Sequence, residues 1–385
     1  MKRLLVVFCI LALATLLVVP FVACASGVKG SVDVEDMAGR TVSVTPGSYE
    51  RVVCIGAGAL RLYSYVGDVS KLAAVEDIDN TTAEGRPAMF DGVARPYQMA
   101  YKETFDTLPS CGKGGPQAQY AEDEKILSVN PDIVISEYED AEKANTLQEK
   151  LGVPVIVVKY GYSGVFDEKI AGSLKLLGKI FDNEEKATTL VNYINSEKAA
   201  IEERVKDINI SEQNKVYICG LGQWGTTNEL WTAQNYAPFN VAKINNVVTD
   251  LTANGIQEIT QEKLVALSSE IDVIIIDAAA VKNIKNRISG GGAGNMLETS
   301  KAWTDGEVYL QMAYNAYYTN VEIALINTWY YGKVVYPDLF SDVDIEAKTT
   351  EVTTAFLGKD LNAAIKAKPL SYGGYQKLNT ATTFA

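Results

Sequence analysis

Short segments that are apolar along nearly their whole length recur throughout the chain, with helix-forming segments between them. They occupy residues 51–55, 72–75, 132–136 and 153–158 in the first half, and 215–219, 273–277 and 307–310 in the second. A strand that is apolar on both faces belongs to a parallel sheet whose two faces are covered by helices. The pattern therefore predicts an α/β protein built around two such sheets.

A long segment without glycine or proline separates the two halves. Residues 183–208 are rich in Glu, Lys and Ala, and their apolar stripe at helical spacing consists of Leu190, Ile194, Ile201, Val205 and Ile208. A helix of about 24 residues would be about 36 Å long, roughly the width of a domain. We therefore predict two Rossmann-like lobes joined by one long α-helix: an N-terminal lobe at 26–182, the connecting helix at 183–208 and a C-terminal lobe at 209–385.

A weak internal repeat agrees with two lobes of similar build. Residues 124–129 begin with Glu-Lys, continue with apolar residues and precede the strand at 132–136. Residues 262–267 have the same pattern and precede the strand at 273–277. Chance likeness between helix-to-strand units is the alternative explanation. If the repeat is real, Glu124 and Glu262 occupy equivalent places in the two lobes.

The first 25 residues have the features of a secretory signal peptide. Lys2 and Arg3 precede an apolar run over residues 4–19, and small residues follow near Cys24. A retained membrane anchor is the competing interpretation, because the run is nearly long enough to span a bilayer. Residues 21–24 also resemble a bacterial lipobox, with Cys24 as the lipidated residue. Cleavage alone and cleavage with lipidation of Cys24 both remain open.

The absence of histidine excludes several kinds of chemistry. Ser-His-Asp and Cys-His catalysis and zinc sites built on imidazole all require it. The formal charge of -13, from 35 basic and 48 acidic side chains, repels phosphate backbones, so nucleic acid is not expected as a partner. No nucleophile–base pair is visible, and we do not expect enzymatic activity. The cysteines beyond the signal segment, Cys54, Cys111 and Cys219, do not predict a disulfide framework.

Candidate ligand-binding residues follow the ends of the predicted strands. In open α/β sheets, ligands bind beyond the carboxyl ends of the strands. Glycine loops there can hold anions, arginine suits carboxylates and oxyanions, and tyrosine offers an apolar face with a hydroxyl. The candidates at strand ends are Gly58, Arg61, Tyr138, Tyr160 and Tyr162 in the first lobe, and Gly222, Tyr314, Tyr317 and Tyr318 in the second. Arg95, Tyr97 and Gly114 are further candidates because they lie in a long irregular stretch between the second and third strands, where binding loops often occur.

Each type of candidate also has a purely structural interpretation. A glycine can form a tight turn, an arginine can form an ion pair within the fold, and a tyrosine can belong to the core. No group of side chains has the close spacing of a metal site, so a preassembled metal complex or an oxyanion is favoured over a bare ion. No metal site or cofactor of the protein's own is predicted.

Three segments, in this order, resemble those of one family. Residues 36–42 are similar to its opening D-x-x-G-R-x-V hairpin, and residues 130–135 to its K-P-D-hydrophobic strand, with Asn130 in place of Lys. Residues 301–309 look like its W-x(n)-G-x-V-Y segment. With the signal segment and the lobe–helix–lobe order, residues 34–365 resemble the class III (TroA-like) substrate-binding proteins of ABC importers. Members of this family capture ferric siderophores, haem, cobalamin and, in some branches, molybdate or tungstate.

The resemblance implies a function and a set of partners. A small-molecule ligand would be captured between the lobes and delivered to the permease and its ATPase, and one surface Glu per lobe would meet permease arginines. The repeat assigns that docking role to Glu124 and Glu262. An iron complex of the ferric-siderophore type is the expected ligand, with molybdate, tungstate or the corrinoid cobalamin as alternatives.

The zinc and manganese branch relies on histidine ligands and is excluded. An exported two-lobed α/β enzyme is the alternative from another class. The protein is expected to be a monomer at the cell surface or in the periplasm, lipid-anchored if Cys24 is modified.

Overall fold

The structure, a computed structural model, describes residues 30–384 apart from 117, 119, 163, 223–227, 252–254 and 290–295. The predicted signal segment and Cys24 lie outside the described residues. Within the described ranges, no helix is both long enough and apolar enough to cross a membrane. The cysteines of these ranges are buried free thiols, namely Cys54, Cys111 and Cys219.

The first half of the chain folds around a parallel sheet. Its strands are β1 Val32–Glu35, β2 Thr41–Val44, β3 Val52–Ile55, β4 Leu72–Ala74, β5 Ile133–Ser136 and β6 Val155–Val157. Its helices are α1 Ala59–Val66, α2 Pro96–Phe105, α3 Asp123–Ser128, α4 Ala141–Leu151 and α5 Glu168–Ile180. Counting described strands, the sheet has four, in the order β4-β3-β5-β6, and all its pairings are parallel. The strands β1 and β2 form a separate antiparallel hairpin.

Successive side chains of the central strand β5 belong to two different apolar clusters, which shows that the sheet is covered on both faces. Ile133 and Ile135 belong to the large apolar core, whereas Val134, between them, belongs to a second apolar cluster. Since successive side chains of a strand point to opposite faces, the two clusters lie on opposite faces of the sheet. This confirms the parallel, doubly covered arrangement that the uninterrupted apolar runs predict.

The second half repeats this plan with a mixed sheet. Its strands are β7 Lys215–Cys219, β8 Trp231–Ala233, β9 Asn245–Asn246, β10 Ile256–Glu258, β11 Val273–Asp277, β12 Val308–Gln311 and β13 Gln376–Lys377. Its helices are α7 Ala237–Val241, α8 Gln261–Leu267, α9 Val281–Ser289, α10 Lys301–Thr304, α11 Val321–Val335, α12 Ile345–Leu357, α13 Asn362–Lys366 and α14 Thr380–Thr383. Among the described strands, the sheet order is β13-β12-β11-β7-β9, in which only β13 is antiparallel to its neighbour. The strands β8 and β10 form a separate antiparallel pair.

One long helix, α6, lies between the two halves at Glu184–Arg204. Its 21 residues correspond to about 32 Å. It ends four residues before Ile208, the end of the predicted segment, because the chain leaves the helical conformation at Val205. Glu197, buried on α6, accepts a hydrogen bond from Trp329 of α11 at 2.8 Å. The helix is thus packed onto the second half, as a stiff connection requires; the lobe boundaries at 182 and 208 stay a prediction.

The two halves share one hydrogen bond between an aspartate and a backbone N–H, and this supports the internal repeat. Asp132, just before β5, accepts a hydrogen bond from the backbone N–H of Arg51 at 3.0 Å, just before β3. Asp272, just before β11, accepts one from the backbone N–H of Lys215 at 2.9 Å, at the start of β7. Asp132 therefore links β5 to β3, and Asp272 links β11 to β7, which are the corresponding strand pairs of the two sheets.

Candidate functional site

A cleft lies between the two halves and has a volume of about 470 Å³. It lies beyond the carboxyl ends of β3 and β5 on one side and of β12 on the other, as the rule for open α/β sheets predicts. The described lining residues of the first half are Ala57, Phe90, Gly115, Pro116, Ala118, Glu137, Tyr138, Gly161, Tyr162 and Gly164. Those of the second half are Ala233, Asn235, Tyr236, Ala237, Gly255, Ile256, Tyr314, Asn315, Tyr317, Tyr318 and Thr319.

Tyrosines from both halves form much of the cleft wall. Five of the sequence-predicted residues come together here, namely Tyr138, Tyr162, Tyr314, Tyr317 and Tyr318. Tyr162 is 89% exposed and therefore stands at the mouth, whereas the other four are buried or half-buried. Burial raises the pKa of Tyr138 and of Tyr318 above the ordinary value, so both are neutral phenols at neutral pH. Such side chains offer a ring face for packing and a hydroxyl for hydrogen bonding.

Residues 314–320, here called the tyrosine loop, follow β12 and carry three of these side chains. Asp277 at the end of β11 holds the start of the loop, because it accepts a hydrogen bond from the backbone N–H of Tyr314 at 2.8 Å. Tyr317 and Tyr318 both have positive φ, 56° and 70°, an uncommon conformation for residues with a side chain. Surrounding contacts must therefore hold the loop in this shape.

Arg61 supplies those contacts from the first half and does not line the cleft. It projects from α1 and is fully buried. Its guanidinium donates to the tyrosine loop at 2.6–3.1 Å, to the carbonyls of Ala316, Tyr317 and Thr319 and to Oδ1 of Asn320. Of the two roles that the sequence left open for Arg61, these contacts favour the structural one, because they bridge the halves and position tyrosines that do line the cleft.

Arg95 and Tyr97 also lie away from the cleft. The sequence places them in an irregular stretch, but Pro96 begins helix α2, with Arg95 as its N-cap. Arg95 forms a buried ion pair with Asp79 at 2.7 Å, and the hydroxyl of Tyr97 donates to the same carboxylate at 2.6 Å. These contacts favour the structural interpretation of Arg95, in which it forms an ion pair within the fold.

The remaining predicted residues stand behind the lining. Tyr160 donates a hydrogen bond to the carbonyl of Gly58 at 2.9 Å, and its ring lies 4.5 Å from that of Tyr318. A Cβ on Gly114 would come within 2.8 Å of the Glu76 side chain. Gly222 accepts a hydrogen bond from the side chain of Asn315 at 2.6 Å. These residues shape the wall of the cleft without lining it.

Several lining residues were not among the sequence candidates. Tyr236 packs its ring 5.1 Å from that of Tyr314, and Phe90 lies 6.2 Å from Tyr317. Tyr236 follows the short strand β8, and Phe90 lies in the irregular stretch before α2, so neither ends a predicted strand. The motif Asn-Tyr-Ala-Pro at 235–238, a helix start with proline, was the available signal for Tyr236.

One carboxyl group belongs to the described lining of the cleft. Glu137, directly after β5, lines the cleft and is 9% exposed. Its burial, with nearby Glu139 and Glu76, raises its pKa well above the ordinary value. Among the described lining residues there is no lysine or arginine. The described residues also contain no group of three or more His, Cys, Asp or Glu side chains that could hold a metal ion.

Glu76 lies behind the lining and connects the halves. It accepts hydrogen bonds from the backbone N–H of Gly56 at 3.1 Å and from the hydroxyl of Tyr317 at 2.6 Å. Burial raises its pKa to about 7, although these two donors oppose the change. The cleft is thus an aromatic cavity with acidic character, able to enclose a small molecule between two lobes.

Comparison with known proteins identifies the family. The family of periplasmic binding proteins matches residues 52–289, which is more than half of the chain. The chain therefore belongs to the periplasmic binding proteins. Among these it is a substrate-binding protein of ABC transporters, of the TroA-like class. No curated protein matches the sequence.

Solved structures of the same fold have little sequence in common with the chain. A periplasmic solute-binding protein from Veillonella parvula is 19% identical, with a TM-score of 0.66 over 92% of this chain and 98% of that one. The periplasmic binding protein MolA of Haemophilus influenzae, bound to molybdate, is 15% identical, with a TM-score of 0.65 over 86% and 98%. The TroA-like protein FepB from Veillonella parvula is 18% identical, with a TM-score of 0.61 over 86% and 97%. These likenesses confirm the predicted two-lobed class III fold.

Proposed function

We propose that the protein is the extracytoplasmic component of an ABC importer that captures an iron complex of the ferric-siderophore type between its lobes. The observation that carries the proposal is the cleft itself, whose aromatic walls come from both halves. A volume of about 470 Å³ falls within the range of small-molecule sites. The ligand would be bound and released without chemical change, so it should be recovered intact.

The chemistry of the lining favours a preassembled chelate over the alternatives. A bare ferric ion needs several oxygen ligands in one place, and the described residues contain no group of three or more His, Cys, Asp or Glu side chains that could supply them. Molybdate or tungstate would be stabilised by nearby positive charge, and the described lining contains no lysine or arginine but does contain the carboxyl group of Glu137. An iron chelate already satisfies its metal and presents an organic surface that tyrosine rings and hydroxyls can contact.

A ligand panel tests this proposal. Protein lacking residues 1–25 is heated with ferric hydroxamate and ferric catecholate chelates, haemin, cobalamin, molybdate or tungstate. A ligand at 100 times its Kd should stabilise the protein by about 2.7 kcal/mol, a rise in Tm of about 3 °C for a chain of this length. We expect that rise with an iron chelate and none with its metal-free form. A rise with an oxyanion or cobalamin alone, or turnover of any ligand, would overturn the proposal.

A matched pair of variants locates the binding site. Tyr138→Ala removes a ring from the cleft wall, and we expect it to weaken chelate binding by about tenfold or more. Tyr309→Ala is the control, because that half-buried tyrosine lies on β12 and its hydroxyl donates to Glu307 at 2.8 Å. Equal losses in the two variants would contradict the assignment of the cleft.

We propose further that Glu124 and Glu262 dock the loaded protein onto the permease. Each is the exposed second residue of its helix, α3 or α8, and each of these helices precedes the central strand of its sheet. The equivalent placement in the two halves supports a matched pair of contacts. We expect Glu124→Ala with Glu262→Ala to abolish uptake and to leave chelate affinity unchanged. Glu142→Ala is the control, since Glu142 is the exposed second residue of α4; normal uptake by the double variant would refute the docking role.

Export and anchoring form the last part of the proposal. The signal-like residues 1–25 and membership of a periplasmic family support an exported protein, and the lipobox-like residues 21–24 support an anchor through a lipid on Cys24. Incorporation of a labelled fatty acid that is lost in Cys24→Ser would support the anchor. Absence of label from the wild-type protein would refute it.

A further inference from the structure

The sheet fixes the backbone of Glu137 at a place from which its side chain lines the cleft. It follows β5, and its backbone N–H donates to the carbonyl of Ile55 in the neighbouring strand at 3.0 Å. Its side chain is 9% exposed and lines the cavity. A carboxylate removed from water to this extent is ordinarily paired with a cation or satisfied by several hydrogen bonds.

The cations of the region are engaged elsewhere. Lys159 forms an ion pair at 3.1 Å with Glu139, which is two residues beyond Glu137. The guanidinium of Arg61 donates to the tyrosine loop of the other half. No ion pair to Glu137 exists among the described residues, and the charged groups that act on it most strongly are the carboxylates Glu139 and Glu76. Within the described part of the chain, the protein therefore leaves this carboxylate without a cation.

Aromatic rings border the same position. Tyr138, the next residue, and Tyr318 from the tyrosine loop line the same cleft as Glu137, and burial together with the nearby carboxylate of Glu137 raises the pKa of both phenols. A cation over a tyrosine ring is attracted by the electron-rich face, and a neighbouring carboxylate adds to that attraction. The arrangement suits a positively charged group better than a neutral or negative one.

We propose that Glu137, with the rings of Tyr138 and Tyr318, forms a subsite for an ammonium or guanidinium group carried by the ligand. This inference rests on the proposed function and narrows it: the captured iron chelate bears a positive charge on its organic part. The metal need not contact Glu137, because the chelate satisfies its own iron. A protonated Glu137 that donates a hydrogen bond to a neutral chelate is the competing possibility, and it predicts no preference for charge.

The test changes the charge of the probe and leaves the protein intact. Ferrioxamine B is a ferric tris-hydroxamate with a pendant ammonium, and acetylation of that amine removes the charge without altering the iron site. Each probe is titrated into the protein at pH 7.5. Because a charged hydrogen bond contributes about 10- to 100-fold in affinity, we expect the acetylated probe to bind more weakly by that factor.

Two variants then test whether Glu137 is the residue that makes the protein bind the charged probe more tightly than the acetylated one. In Glu137→Gln we expect ferrioxamine B to bind as weakly as its acetylated form, whose own affinity stays unchanged. Glu139→Gln is the control, because that exposed carboxylate already pairs with Lys159, and the preference should persist. Thermal unfolding of each variant verifies that it is folded.

The failures of the two proposals are distinguishable. Equal affinities of the wild-type protein for the two probes would overturn the cationic subsite and leave iron-chelate capture in place. The same conclusion follows if neither hydroxamate binds while a ferric catecholate or haemin does. Failure of every iron chelate would overturn the proposed function and the subsite together.

Discussion

Replacing Glu76 by glutamine should make the protein more stable at pH 8 while changing its stability much less at pH 4.5. Glu76 is 5% exposed and joins the two halves through the hydroxyl of Tyr317. Its burial raises its pKa from the ordinary 4.5 to about 7. A glutamine amide can still accept from Gly56 N–H and can donate to the hydroxyl of Tyr317, but it never carries a charge.

The sign and size of the effect follow from proton linkage. Below pH 4.5 the carboxyl group of Glu76 is protonated in both the folded and the unfolded protein. As the pH rises from 4.5 to about 7, the unfolded chain releases this proton more readily, so the free energy of unfolding falls. At about 1.4 kcal/mol per pH unit, this interval corresponds to a loss of about 3 kcal/mol, which glutamine avoids. For a chain of this length that is a difference of about 4 °C in Tm.

The assay is thermal or urea unfolding of the wild-type protein and the variant at intervals from pH 4.5 to 8.5. The difference between the two proteins is the quantity to follow, because other buried acids such as Asp277, whose pKa is raised to about 6, are present in both and cancel. Glu124→Gln, at an exposed site, is the control for loss of a carboxylate as such, and the gain in stability at pH 8 should be larger for Glu76→Gln than for this control. A pH-independent difference for Glu76→Gln, or a less stable variant at pH 8, would refute the reasoning.

Two further substitutions test contacts behind the cleft wall. Arg61→Met removes the bridge to the tyrosine loop and leaves buried carbonyls without donors, so we expect a loss of about 3–5 kcal/mol in the free energy of unfolding, measured with urea, and weaker chelate binding. A loss below about 1 kcal/mol would contradict the bridging role. Gly58→Ala combines a positive φ of 88° with a Cβ that would clash with the hydroxyl of Tyr160, whereas the control Gly152→Ala has a φ of 67° and no neighbour within 4 Å. We expect about 1 kcal/mol for the control and at least twice that for Gly58→Ala, and equal costs would refute the close-contact argument.

Elements that depend on local pattern were predictable without the structure. The strands β7 and β11 have the predicted bounds, because a fully buried strand needs an uninterrupted apolar run that is visible in the sequence itself. The short strands β9 and β13 were missed, since residues such as Asn245 and Gln376 have no strand pattern of their own. They pair only because the edge of a neighbouring strand is available.

The candidate site divides in the same way between sequence and tertiary structure. Chain order alone placed tyrosines beyond the strand ends, and five of them line the cleft, because the carboxyl ends of parallel strands meet at one edge. The sequence could not decide what faces Arg61 or Arg95, since their partners in the tyrosine loop and at Asp79 come from elsewhere in the chain. For the same reason the isolation of Glu137 became visible only in the folded protein. Whether a charged side chain is paired depends on distances that only packing determines.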